Sequence, residues 1–120
     1  MSSFPEGKIE KWISSQNYKF FLKYHRRQLS RVYPGIRRLD SSNFDPVRMW
    51  SAGIQMVALN YQTPDRAMQL NQGKFLENGN CGYILRPDFM FDETDSFSIH
   101  DKNSLKRSEA ITLTVRVKIF

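Results

Sequence analysis

Ile54-Gln55-Met56-Val57-Ala58-Leu59 is a nearly unbroken apolar run, and it limits the fold more than any other stretch. Such a run suits a strand covered on both faces, as strands of parallel sheets are. Parallel neighbours need a crossover between them, usually a helix, and helix signals stand on both sides. Upstream, Asp45-Pro46 pairs an N-cap residue with proline and opens a short helix through Met49 and Trp50 that stops at Gly53. Downstream, Thr63-Pro64 caps a further helix that carries Met68 and Phe75 and ends near Asn78-Gly79. Gly82-Tyr83-Ile84-Leu85 then predicts another strand, closed by Arg86-Pro87.

The first third of the chain follows the same alternation. Ser3-Phe4-Pro5-Glu6 fits a capping box, with Ser3 as N-cap and Glu6 reaching back, and Ile9, Trp12 and Ile13 recur at helical spacing up to about Ser15. Asn17 caps a second helical piece with Phe20, Phe21 and Tyr24 inward and Lys19, Lys23, Arg26 and Arg27 outward. In Gln28-Leu29-Ser30-Arg31-Val32-Tyr33, apolar or aromatic residues alternate with polar ones and Pro34-Gly35 ends the run, which predicts a strand. Leu29, Arg31 and Tyr33 share one face of it. The segment from Ile36 to Phe44 is polar and turn-rich. Helix and strand in turn give an α/β parallel sheet. Three strands do not close a barrel of eight, so the sequence reads as part of something larger.

From Asp88 to Glu109 periodicity is lost and the residues read as a linker. Ile111, Leu113, Val115, Val117 and Ile119 then alternate with Thr112, Thr114, Arg116 and Lys118, the pattern of a strand with one buried face. At 120 residues, with 40% hydrophobic and 13% aromatic content, the chain has enough apolar material for one small packed domain. A formal charge of +6 favours anionic partners. Cys81 stands alone, which suits a reducing compartment, with burial as a small apolar residue its simplest role. The start of the chain lacks a secretory signal and no apolar run reaches the length of a membrane helix, so a cytoplasmic protein that meets membranes at their surface is expected.

Catalytic chemistry is sparse. His25 and His100 fall on different kinds of element with no reason to meet, and no Cys-x-x-Cys or His-x-Glu spacing suggests a transition-metal site. Turn and cap roles account for Asp40 and Asp45. Arg31 and Tyr33 are the exception. A guanidinium fork beside an aromatic ring, at the carboxyl end of a parallel strand, suits a ligand carrying a phosphate and a ring. The plainer alternative is an arginine in an ion pair beside a hydrogen-bonded tyrosine.

The runs Arg31-Val32-Tyr33-Pro34, Arg38-Leu39-Asp40-Ser41-Ser42-Asn43-Phe44-Asp45-Pro46 and Met49-Trp50 resemble eukaryotic phosphoinositide-specific phospholipase C. So do Gln55-Met56-Val57-Ala58-Leu59-Asn60-Tyr61-Gln62-Thr63-Pro64 and Asn78-Gly79-Asn80-Cys81-Gly82-Tyr83. The resemblance covers roughly residues 1–91 and corresponds to the second, Y-box half of the split catalytic barrel. Its wording at Met1-Ser2-Ser3-Phe4 and Arg38 to Pro46 is closest to the gamma type.

That resemblance implies a partial TIM-type parallel (β/α) barrel over 1–91, a linker over 92–109, and at 110–120 the first strand of a truncated lipid-binding β-sandwich. It implies that Arg31 holds the 4-phosphate of an inositol headgroup, that Tyr33 packs on the inositol ring, and that Ser3 touches the same phosphate. For Ser3 the capping role competes with the phosphate role. Ile36 falls near an apolar rim that the family dips into the bilayer. The implied partners are phosphatidylinositol 4,5-bisphosphate, an anionic membrane surface at the plasma membrane, and the first, X half of the barrel; nucleic acid is not among them. The whole enzyme would release diacylglycerol and inositol trisphosphate. The general acid and base, the calcium ligands and even the first strand of the second half are expected to lie outside this chain. It would supply headgroup binding without catalysis of its own. The rival from another class is a non-catalytic basic module holding anionic lipid or nucleic acid through Lys19, Lys23, Arg26, Arg27, Arg31, Arg37 and Arg38. A truncated product competing with the full enzyme is a third reading.

Overall fold

Three parallel strands in spatial order β1-β2-β3 carry the fold, each followed by helix. The computed structural model describes residues 1–15, 18–91, 98 and 112–118. The elements are β1 (Ser2–Pro5), α1 (Glu6–Ser14), α2 (Tyr18–Tyr24), β2 (Ser30–Tyr33), α3 (Pro46–Ser51), β3 (Met56–Val57) and α4 (Arg66–Leu76). A 3-10 turn at Asp88–Met90 follows.

The register sorts the side chains. Phe4, Val32 and Val57 lie side by side across the sheet, as do Ser3, Arg31 and Met56, and the two rows point to opposite faces. The first row packs into a core of Ile9, Ile13, Phe21, Phe44, Met49, Ala52 and Ile54, with Val32 fully buried. Burying side chains such as Ile9, Ile13 and Met49 contributes roughly 1.5–3 kcal/mol apiece. A smaller cluster joins Tyr18 and Leu22 to Met90. The opposite face carries Ser3 and Arg31 exposed and Tyr33 half-buried. Helices therefore cover one side of the sheet and leave the other open.

Several expectations are corrected here. Ser2–Pro5 is a strand, so the chain does contain a strand ahead of the first helix, and Ser3 is paired beside Arg31 instead of capping α1. Pro5 stands at the N-cap with no side-chain bond, and the Glu6 carboxylate turns to the β2 loop. Phe20 points outward, whereas Tyr18, Phe21 and Leu22 are buried. The run at 54–59 narrows to two strand residues, half-buried because only one face of the sheet is covered. Asp65 caps α4 by accepting from Met68 N–H, and the Thr63 hydroxyl donates to the Ser41 carbonyl instead.

Residues 82–85 form no strand. Asn80 and Gly82 take positive φ, and the Asn78 side-chain amide occupies the Tyr83 carbonyl that a ladder would need. Cys81 is exposed in this turn, its sulfur accepting from the same Asn78 amide. Residues 112–118 are exposed and carry no strand pairing among the described residues. The linker at 92–109 (Ser98 apart), His100 and Asn17 lie outside the described residues.

Candidate functional site

The open face gathers the three residues singled out from the sequence. Ser3 and Arg31 are register partners on adjacent strands, and Pro5 pairs with Tyr33 one row closer to the carboxyl end. Side chains two apart on β2 share a face, and the Arg31 guanidinium carbon lies 5.6 Å from the centre of the Tyr33 ring. That is within the range of a cation–π contact. Among the described residues the Arg31 side chain makes no ion pair or hydrogen bond, so the plainer alternative of a paired arginine finds no partner there. Its fork faces solvent with its donors available.

Arg38 stands in contrast. Its Nε and Nη2 donate to the two carboxylate oxygens of Glu6 at 2.6 and 2.8 Å, and its Nη1 donates to the Ser42 hydroxyl at 3.1 Å and the Asn43 carbonyl at 3.0 Å. Glu6 Oε1 also accepts from Gly35 N–H at 2.7 Å. Burial works to raise the Glu6 carboxyl, but the bonds from Arg38 and Gly35 and the nearby positive charge outweigh it and hold its pKa below the ordinary value. A two-pronged carboxylate pair is stronger than neutral hydrogen bonds; the guanidinium's remaining exposure, 28%, brings its net worth toward about 1 kcal/mol. Nothing in the sequence flagged this pair, since 32 residues separate its members.

Behind it, Asn43 ties the loop after β2 to the loop after β3. Its N–H and side-chain amide donate to Asp65 at 3.0 and 3.2 Å, and its side-chain oxygen accepts from Asn60 N–H at 2.6 Å. Asp40 and Asp45 make the turn and cap bonds expected of them, to Ser42 N–H and Val47 N–H. A cleft between the starts of α3 and α4 is lined by Asp45, Asp65, Arg66 and Leu70 among others, but by none of Ser3, Arg31 and Tyr33. Trp50 packs edge-on against Phe75 with Lys74 over its ring, a joint between α3 and α4.

His25 is buried, with Nδ1 3.2 Å from the Ala52 carbonyl. Arg86 donates from Nη1 to the His25 carbonyl and from Nη2 to the Gly53 carbonyl, closing a second joint where the ends of α2 and α3 meet. Among the described residues, no three His, Cys, Asp or Glu side chains come together to hold a metal ion. The described residues do not fit a calcium site.

Known proteins resemble this chain along nearly its whole length. The family model for the phosphatidylinositol-specific phospholipase C Y domain matches residues 1–89. The 1-phosphatidylinositol 4,5-bisphosphate phosphodiesterase gamma plc-3 of Caenorhabditis elegans is 50% identical over 98% of this chain and 8% of its own length. The delta-3-A phosphodiesterase of Danio rerio is 48% identical over 98% of the chain and 15% of its own length. The human protein named inactive phospholipase C-like protein 1 is 41% identical over the same 98%, and 11% of its length. The crystal structure of S. officinalis PLC21 superposes with a TM-score of 0.71 at 41% identity, over 80% of this chain and 12% of that one. The chain thus spans less than a sixth of each of these relatives. Near-equal identity to gamma and delta types leaves the gamma-like reading resting on the motif wording alone. A parallel sheet with helices on one face and a match to one named domain leave a single family, and the chain belongs to the phosphatidylinositol-specific phospholipases C as their Y domain.

Proposed function

We propose that this chain is the headgroup-gripping half of a phosphoinositide phospholipase C, whose whole form hydrolyses phosphatidylinositol 4,5-bisphosphate to diacylglycerol and inositol trisphosphate. The observation that carries the reading is the Arg31 guanidinium, without an ion-pair partner among the described residues, over the Tyr33 ring on the open face beside Ser3. Arg31 holds the 4-phosphate through charge-assisted bonds, Tyr33 packs on the inositol ring, and the Ser3 hydroxyl donates to the same phosphate. The acid and base, and the residues that would hold a calcium ion, would belong to the first half of the barrel. Residues 1–91 form the barrel portion, 92–109 the linker, and 110–120 the first strand of a β-sandwich.

The protein acts in the cytoplasm, peripherally at the anionic inner face of the plasma membrane. Ile36 and Leu39, 93% and 91% exposed, flank Arg37 in the loop after β2. Apolar tips beside a cation suit shallow insertion among anionic lipids.

A second reading is non-catalytic: a basic module on anionic lipid, or a truncated product that competes with the full enzyme. It draws on the 41% identity to a relative named inactive. Nucleic acid is the weaker form of it, because Arg38 is engaged by Glu6 and the other cations are spread over α2, β2 and two turns. In the intact enzyme, Arg31→Ala lowers turnover of 4-phosphorylated lipids about 10- to 100-fold, the worth of a charged hydrogen bond, and spares phosphatidylinositol. Equal loss on both lipids, or binding that depends on salt and ignores the phosphate position, refutes the headgroup role.

A further inference from the structure

We infer that Arg38, gripped by Glu6, is a positioning residue of the headgroup site: it meets no ligand and fixes the loop on which Tyr33 ends. The inference rests on the headgroup reading above and adds a residue to it. Arg38 and Arg31 both stand on the chain around the end of β2, yet their donors are used differently. All three nitrogens of Arg38 are spent on Glu6, Ser42 and Asn43. Those of Arg31 are bonded to nothing among the described residues.

Where Arg38 spends them is what matters. Glu6 directly follows β1, the strand that carries Ser3, and it is buried. One of its oxygens receives Gly35 N–H, two residues beyond Tyr33, while both receive Arg38. Tyr33 is thus held by the β-ladder on one side and, across Pro34, by this clamp on the other. Asn43 carries the bonding on to Asp65 and Asn60, so the segments following β1, β2 and β3 form one network at the carboxyl ends of the strands. A site whose ring and guanidinium must meet one ligand together is sensitive to displacements of about 1 Å, which cost up to about 100-fold. A loop released from Glu6 has that freedom.

The test uses the intact enzyme with Glu6→Gln and, separately, Arg38→Lys, which keeps the charge but loses the planar fork. Vesicles containing phosphatidylinositol 4,5-bisphosphate or phosphatidylinositol are the substrates, and hydrogen exchange monitors whether each variant is folded. Both variants raise KM for the bisphosphate about 10- to 100-fold with kcat within about 2-fold, and shrink its preference over phosphatidylinositol. Unchanged kinetics, or a loss of kcat shared by both lipids at unchanged KM, overturns the inference, since the latter is the mark of a smaller folded fraction. Arg31→Ala runs alongside. If it abolishes the preference while Glu6→Gln and Arg38→Lys retain it, only the positioning role falls; if it spares the preference, the headgroup reading falls and this inference with it.

Discussion

Two buried side chains, each holding its proton less readily than the unfolded chain does, set the response of single residues to acid. Burial pulls His25 down to about 4, helped by the charge of Arg86 and opposed by the bond to the Ala52 carbonyl. The unfolded chain takes up a proton as pH falls below 6.5, whereas the folded one refuses it until near 4, so stability is lost across that window as pH drops. The loss amounts to roughly 3 kcal/mol over the window. Glu6, held below its ordinary value of 4.5, contributes fully above that value and loses its contribution as pH falls below it, a more acidic window than that of His25. The expected outcome is that the protection factors of α2 and α3 amides in the intact enzyme, hydrogen-exchange rates corrected for the pH dependence of free-amide exchange, fall between about pH 7 and pH 5, and that His25→Gln flattens this dependence. An equal fall in both proteins shows that another group carries it.

At the scale of elements, local signals served where the contact was local. Asp45-Pro46 starts α3 as expected, and Ile9 and Ile13 fill the core from the predicted face of α1. The misses are non-local. Ser3-Phe4-Pro5-Glu6 carries every mark of a helix cap, and only pairing with Ser30–Tyr33 makes it a strand. The open sheet face holding Arg31 and Tyr33 was legible from alternation, but the lack of an ion pair on Arg31 among the described residues was not, because that depends on which distant carboxylate each arginine meets. Gly53 was legible as the stop of α3, and the structure adds why. It sits at φ +84, and a Cβ there would lie 3.1 Å from Arg86 Nη2 and 3.3 Å from Leu22 Cδ2. Gly53→Ala therefore destabilises by about 1–3 kcal/mol, from the left-handed backbone and the crowded joint together. Urea unfolding checks this; a midpoint equal to that of the parent would mean that the joint yields freely.

For the whole molecule, the family assignment and the activity are separate matters. Relatives named as phosphodiesterases and a relative named inactive both align over 98% of this chain, at 50% and 41% identity, so a match to this segment does not separate them. The 120-residue chain with calcium and phosphatidylinositol 4,5-bisphosphate vesicles is expected to release no inositol phosphate, and addition of the separately expressed first half to restore release. Release by the chain alone contradicts this division of labour.

The one-sided covering of the sheet bears on how such an enzyme tolerates being built in pieces. Val32, Ile9 and Ile13 are sealed at 0–1% exposure by this chain's own helices, while the opposite side presents groups at ease in water. A seam along that side leaves the oily interior whole. Polypeptide inserted at such a seam lengthens a loop, a cost that grows only logarithmically, and nothing packed has to come apart to admit it.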